Sequence, residues 1–332
     1  MRVVVRLLKI RYLMCILLLL SVAISGCGKN AKITETVSAT QNYTVHDIRG
    51  KKITFAKKPE RIASSFVYAD EILLDLVDHQ KIVGLSKWVH DPGLSMGYKQ
   101  AEDVPGIVEN NLESVIALKP DLLFVADTAK KEYINSLEDA GIKVYVFKYI
   151  SRLDGIPALV KSIGEAVGEK EKAETLIKTM NIKINAVKTK VAAIPQKQRK
   201  TGLLFLRFGA IGGAGCIYND ILSTAGIEDC YQQARPDAQE YTGTSRILSK
   251  EEVLKTNPEF LLIGSWSQGG TYQNSKDQLE EIYSDPAYAG ITAIKKRQAI
   301  IIPQSYVNCL SHNVAKSIEL LHAVVYENPN GA

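Results

Sequence analysis

Short apolar runs alternate with amphipathic segments along the first half of the chain. RIASSFV (61–67), KIVGLS (81–86), DLLFVA (121–126) and IKVYVFK (142–148) predict buried strands. Between them ADEILLDLVD (69–78), NLESVIAL (111–118) and KKEYINSLEDAG (130–141) carry a helical period, the last closed by a glycine. The second half repeats the habit. GLLFLRF (202–208), EFLLIG (259–264) and QAIIIP (298–303) predict strands, and YNDILSTAG (218–226), SKEEVLKT (249–256), residues 275–283 and NVAKSIELLHAVVY (313–326) predict helices. This alternation is the sequence form of an α/β fold with mostly parallel sheets covered on both faces.

Between the halves, residues 169–191 contain neither glycine nor proline. Ala173, Ile177, Met180, Ile184, Val187 and Val191 fall at alternating steps of four and three. That stripe predicts one amphipathic helix, roughly 35 Å long at 1.5 Å per residue, lying along both halves. Three heptads are too short to prefer a coiled-coil dimer, and a monomer is expected.

One passage is written twice. NLESVIALKPDLLFVA (111–126) and SKEEVLKTNPEFLLIG (249–264) match without a gap, 138 positions apart. Glu113 falls on Glu251, Val115 on Val253, Ile116 on Leu254, Pro120 on Pro258 and Asp121 on Glu259. Each copy opens on a cap candidate, Asn110 or Asn111 in the first and Ser249 in the second. Each then runs about two helical turns and breaks at proline, which forbids the preceding residue the α region. Ser249 with Glu252 reads as a capping box. The unit is helix, tight turn, buried strand, and its repetition suggests two lobes built alike.

The N-terminus changes the charge argument. Arg2, Arg6, Lys9 and Arg11 precede the apolar run LMCILLLLSVAIS, which is short for a membrane span, and Ile24-Ser25-Gly26-Cys27 follows. This resembles the lipobox of bacterial lipoproteins, in which cleavage leaves the cysteine, here Cys27, carrying a diacylglyceryl group. The expected division is a signal peptide over 1–26, a flexible tether over 27–42, an N-terminal lobe over 43–165, a linker helix over 166–194 and a C-terminal lobe over 195–332. Removing the four cations lowers the formal charge from +5 to +1, so the basic balance gives no case for nucleic acid. Cys216, Cys230 and Cys309 form no CxxC pair; a Cys216–Cys230 disulfide is open in an oxidising compartment. GAIGGAG (209–215) lacks both the dinucleotide spacing and the Walker lysine, and reads as a turn or a close backbone approach to a ligand. With no HExxH and no GxSxG, an exported hydrolase is disfavoured and no cofactor is expected.

KPERIASS (58–65), ADEILLDLVDHQKIVGLS (69–86), the repeated passage and the joining helix, in this order behind a lipobox, resemble the substrate-binding lipoproteins of ABC importers for iron-siderophores, haem and cobalamin. The resemblance runs from about Tyr43 to Asn328. It implies two Rossmann-like lobes bridged by one helix, a ligand cleft between them and no catalytic activity. It also implies a permease dimer with its ATPase as partner, with Glu113 and Glu251 docking into arginine pockets. A first-turn carboxylate suits that role, because the helix dipole favours it and an arginine fork can grip it with two bonds.

In parallel α/β lobes, ligand groups come from loops at the carboxyl ends of strands. Trp88 and Trp266 lie in such loops, one per lobe, and would suit a large planar or macrocyclic ligand. The alternative places each tryptophan in its own core. Three ligand chemistries remain open. Haem would use His90, Tyr68, Tyr218 or Tyr306 as axial ligand. An anionic ferric siderophore would use Arg207 with Lys87 or Arg246. Cobalamin would use Trp88, Trp266, Phe66, Phe208 and the Gly212-Gly213 backbone. A free metal-ion receptor of the related class is disfavoured, since only five histidines are present and they are widely scattered.

Overall fold

The computed structural model describes residues 42–109, 111–206, 209–212, 215–231, 246–265 and 273–327. Residues 1–41 of the segment predicted as signal and tether, Cys27 among them, lie outside these, with Asn110, Arg207, Phe208, Gly213, Trp266 and the side chain of Arg246.

A small antiparallel hairpin, β1 (Tyr43–His46) and β2 (Lys52–Phe55), precedes the first sheet. That sheet is wholly parallel, in the order β5-β4-β3-β6-β7. Its strands are β3 (Ile62–Ser64), β4 (Ile82–Ser86), β5 (Ile107–Val108), β6 (Leu122–Ala126) and β7 (Val144–Phe147). Helices α1 (Val67–Leu76), α2 (Tyr98–Ala101), α3 (Leu112–Leu118) and α4 (Lys131–Asp139) connect them. Successive side chains of β6 enter opposite cores: Leu122, Phe124 and Ala126 one, Leu123 and Val125 the other. This two-residue alternation, with every position apolar, is what a strand covered on both faces requires.

α5 (Ile156–Val167) ends at Gly168, whose φ of +72° allows the chain to turn directly into α6 (Lys170–Ala192). α6 is the continuous linker helix the stripe predicts: Ala173, Met180, Ile184, Val187 and Val191 are buried and Ile177 is half-buried.

The second sheet runs β11-β9-β8-β12-β13, with β10 paired to β8. Its strands are β8 (Thr201–Leu206), β9 (Gly209–Gly212), β10 (Glu228–Asp229), β11 (Arg246–Ile247), β12 (Phe260–Ser265) and β13 (Ala299–Pro303). Helices α7 (Ile217–Thr224), α8 (Lys250–Thr256), α9 (Gln273–Ser284), α10 (Thr292–Lys295) and α11 (Val314–His322) accompany them. β9 and β11 are antiparallel. The glycine-rich segment therefore corrects an expectation, because Gly209–Gly212 is a strand of a hairpin with β8. A Cβ at Gly212 would lie 2.4 Å from the Tyr231 side chain, so the close approach there is to a ring of the protein itself.

The repeated passage folds as a repeat. α3 and α8 have equal lengths, and Asn111 and Ser249 each accept the backbone N–H three residues on, from Ser114 at 2.8 Å and Glu252 at 3.2 Å. Both helices stop at a left-handed non-glycine residue, Lys119 (φ 48°) and Asn257 (φ 41°). β6 and β12 then take equivalent central places in their sheets.

The lobes are tied beyond the linker. The Arg152 Nε and the Leu153 N–H donate to Asp220 at 2.8 and 2.9 Å. Residues 304–313 form a strap from the second lobe across the first. Its Ser305 N–H reaches the Gly93 carbonyl at 2.7 Å, and further along it meets one face of α1. There Asn308 donates to the Tyr68 hydroxyl at 3.0 Å, Ser311 and Asn313 donate to the buried Glu71 carboxylate, and His312 lies 2.7 Å from Asp75. One core runs from Ile72 through Ile184 to Leu321, spanning both lobes.

Candidate functional site

The carboxyl ends of β3, β4 and β6 open into a cavity of about 570 Å³ lined by Ser65, Phe66, Val67, Trp88, Thr128, Lys130 and Tyr133, with Val125, Ala126 and Ala129. Each wall follows from local structure. Phe66 is the extended residue that caps α1, Trp88 sits on the 3-10 turn after β4, and Lys130 caps α4, with Tyr133 on its first turn. Trp88 is 36% exposed, with Lys87 Nζ 4.6 Å from its ring centre, which excludes the alternative that it plugs its own core. The Phe66 ring meets Tyr68, Phe147 and Tyr149 edge-on at 5.3, 5.8 and 5.9 Å, an arrangement that fixes its plane.

A second cavity of about 170 Å³ lies between the lobes, beyond Tyr149. Tyr149 and Ser151 supply one side, and Leu206, Ile211, Cys216, Tyr218, Gln304 and Asn308 are among the residues on the other. Tyr218 is buried, and its hydroxyl has no hydrogen-bond partner among the described residues. Burial pushes its ionisation far above the ordinary tyrosine value, so it is a neutral donor. Burial also raises the Cys216 thiol. Cys216, Cys230 and Cys309 are free thiols.

Phe66 and Trp88 therefore share the first cavity, and Tyr218 faces the second. Tyr68, His90 and Tyr306 line neither. Tyr68 is buried on α1 with its hydroxyl engaged by Asn308, Tyr306 is half-buried on the 3-10 turn after β13, and His90 has its Nε2 buried without a partner among the described residues. Thr128, Lys130, Gln304 and Asn308 come from ADTAKK (126–131) and PQSYVNC (303–309), loops at the carboxyl ends of predicted strands, whereas Tyr133 and Tyr149 are lining residues not foreseen. Tyr149 had a readable signal, an aromatic two residues past the β7 run. Among the described residues no group of three or more His, Cys, Asp or Glu side chains is arranged to hold a metal ion. Nor is any helix there long and apolar enough to cross a membrane.

Glu113 and Glu251 are both exposed at the second position of their helices. Asn111, with Ser114 as its partner, caps α3, so Glu113 is not consumed in a capping pair. The Ser249–Glu252 capping box leaves Glu251 outside it in the same way. The Glu251 carboxyl lies below the ordinary range because its own backbone N–H, and then the Ser249 hydroxyl, favour the charged form.

Residues 62–306 match the profile of the family described as periplasmic binding protein. The chain belongs to that family. Its members are substrate-binding proteins for transport rather than enzymes. The chain is 27% identical over 258 residues to an uncharacterized ABC transporter substrate-binding lipoprotein, YvrC, of Bacillus subtilis, covering 74% of this chain and 78% of that one. It is 26% identical over 224 residues to the cobalamin-binding protein of Halobacterium salinarum, covering 67% of this chain and 58% of that one. In structure it resembles the periplasmic heme-binding protein RhuT of Roseiflexus sp. RS-1, at 19% identity and a TM-score of 0.65 over 81% of this chain and 98% of that one. The two-lobed α/β architecture and the family membership agree with the resemblance read from the motifs.

Proposed function

We propose that the protein is an extracytoplasmic solute receptor, anchored by lipid on Cys27, that captures an iron chelate or corrinoid and delivers it to an ABC permease dimer with its ATPase. Residues 1–26 are the signal peptide, 27–42 the tether, 43–165 and 195–332 the two lobes, and 166–194 their bridge. The protein is a monomer and performs no chemistry on its ligand. The observation that carries this reading is the cavity at the carboxyl ends of β3, β4 and β6, where Phe66, Trp88 and Tyr133 offer aromatic surface. Lys130 is the only charged side chain in the described linings of the two cavities. The aromatic surface favours a large planar or macrocyclic ligand, such as a corrinoid. The name of the Halobacterium salinarum relative points the same way. Haem is the second reading, since Tyr218 faces the second cavity, where its phenol would have to give up its proton to bind iron.

The mature protein titrated with cobalamin, haemin and ferric hydroxamates should quench tryptophan fluorescence and gain thermal stability with one of them. Trp88→Ala should weaken that ligand at least tenfold, about 1.4 kcal/mol. Unchanged affinity would remove the cavity from the binding site.

A further inference from the structure

Apolar side chains accompany the twin glutamates. Among the described residues eight large apolar side chains stand exposed, and four of them belong to the repeated unit and the edge strand that leads into it. These are Ile107 (46%) and Ile116 (45%) in the first copy, and Ile247 (52%) and Leu254 (41%) in the second. Ile116 and Leu254 follow Glu113 and Glu251 by three residues and so share their helix faces. Ile107 and Ile247 sit on two-residue strands just before the two capped helices, each the outermost strand of its sheet. The intervening Val115 and Val253 are fully buried, so each helix keeps a core-facing side and leaves a second apolar position bare.

A single exposed isoleucine needs no explanation. Two of the four, Ile116 and Leu254, stand in matching positions relative to a cap, a carboxylate and a left-handed stop, and each has an exposed edge-strand isoleucine a few residues before its cap, Ile107 four before and Ile247 two before; that arrangement does need one. Whatever covers one copy must be offered a second time by the same partner, which limits the occupant to a molecule with two like halves. The neighbouring carboxylates require a cation beside each apolar hollow.

We propose that Ile107, Ile116, Ile247 and Leu254 form the apolar part of a docking face whose acidic part is Glu113 and Glu251, and that the occupant is the permease dimer, each subunit setting an apolar depression beside a basic side chain. The identity of the partner rests on the receptor reading above. The two parts act at different stages: carboxylates steer the encounter and make it sensitive to salt, whereas apolar contacts hold the complex once water is expelled.

The test uses the mature lipoprotein and its permease–ATPase complex in nanodiscs, with Ile116→Ser/Leu254→Ser and Ile107→Ser/Ile247→Ser as paired variants. Each pair should raise the Kd of the complex at least tenfold, through faster dissociation, while salt dependence, thermal stability and solute affinity stay as in the wild type. Glu113→Gln/Glu251→Gln should instead slow association and flatten the salt dependence. Wild-type Kd in both serine pairs, with the glutamine pair impaired, overturns the apolar face and leaves the receptor reading standing. Failure of the wild type to bind the complex overturns the receptor reading and this proposal with it. Sedimentation of the wild type as a dimer that the serine pairs dissolve, or loss of non-lipidated protein from phosphatidylglycerol vesicles in those pairs, would assign the face to a second copy or to the bilayer and overturn it equally.

Discussion

Asp229 is 8% exposed, and its carboxylate accepts the Tyr231 N–H at 2.9 Å and the Asn219 amide at 3.2 Å. Burial outweighs both bonds and pushes its pKa to about 6. Asp70, wholly buried with one oxygen unpartnered among the described residues, is driven in the same direction. The folded chain therefore holds these protons more tightly than the unfolded chain does. The contribution of Asp229 to stability is complete below the unfolded carboxyl range near pH 4 and is lost as pH rises through about 6; that of Asp70 is lost in the same direction. Asp229→Asn should stabilise the protein at pH 8 by on the order of 2 kcal/mol and match wild type at pH 3.5, in thermal melts at the two values. A variant equally or less stable at pH 8 would refute this. Sequence did not reveal Asp229, because it lies on β10, a strand of two residues with no periodicity to read. Trp88 was readable, since it falls just past a clear strand. Tyr68, also named from the sequence, lies buried on α1, which begins at Val67.

At the scale of elements, α6 was legible from its stripe and the repeat from its register, both being local patterns of apolar spacing. The strap was not. Its meeting with α1 joins residues some 240 positions apart in sequence, and no local period encodes that. Glu71 is its hub, buried while accepting Ser95 Oγ and the Met96 N–H at 2.8 Å, the Ser311 hydroxyl, and Asn313 Nδ2 at 3.2 Å. Glu71→Ala leaves those donors without an acceptor and should cost about 3 kcal/mol, read as a lowered midpoint in urea. Glu71→Gln, which keeps one oxygen, should lose less. Equal midpoints for wild type and Glu71→Ala would show that the bonds to Glu71 contribute nothing to stability. The glycine-rich segment misled for a related reason: its partners, β8 and Tyr231, are supplied by pairing and packing that composition cannot express.

For the molecule as a whole, sequence carried the lobes, their bridge and the family, since each rests on repeated or periodic signals. The walls of the two cavities were only partly legible, because Tyr133 and Tyr149 reach them from outside the strand-end loops, through the closing of the fold. The doubled helices make the sharpest claim at this scale. Glu113→Ala with Glu251→Ala should abolish solute uptake by cells while the purified variant keeps wild-type ligand affinity, because both side chains are exposed and line neither cavity. Normal uptake would reject the docking role.

The strap has a practical corollary for dissection of the chain. A fragment ending at the bridge would leave Glu71, Asp75 and the Tyr68 hydroxyl stripped of Ser311, Asn313, His312 and Asn308, while the complementary fragment would bare the same donors. Neither half is a self-sufficient module, so truncation or lobe-swapping chimaeras should be cut to keep α1 and residues 304–313 from the same parent.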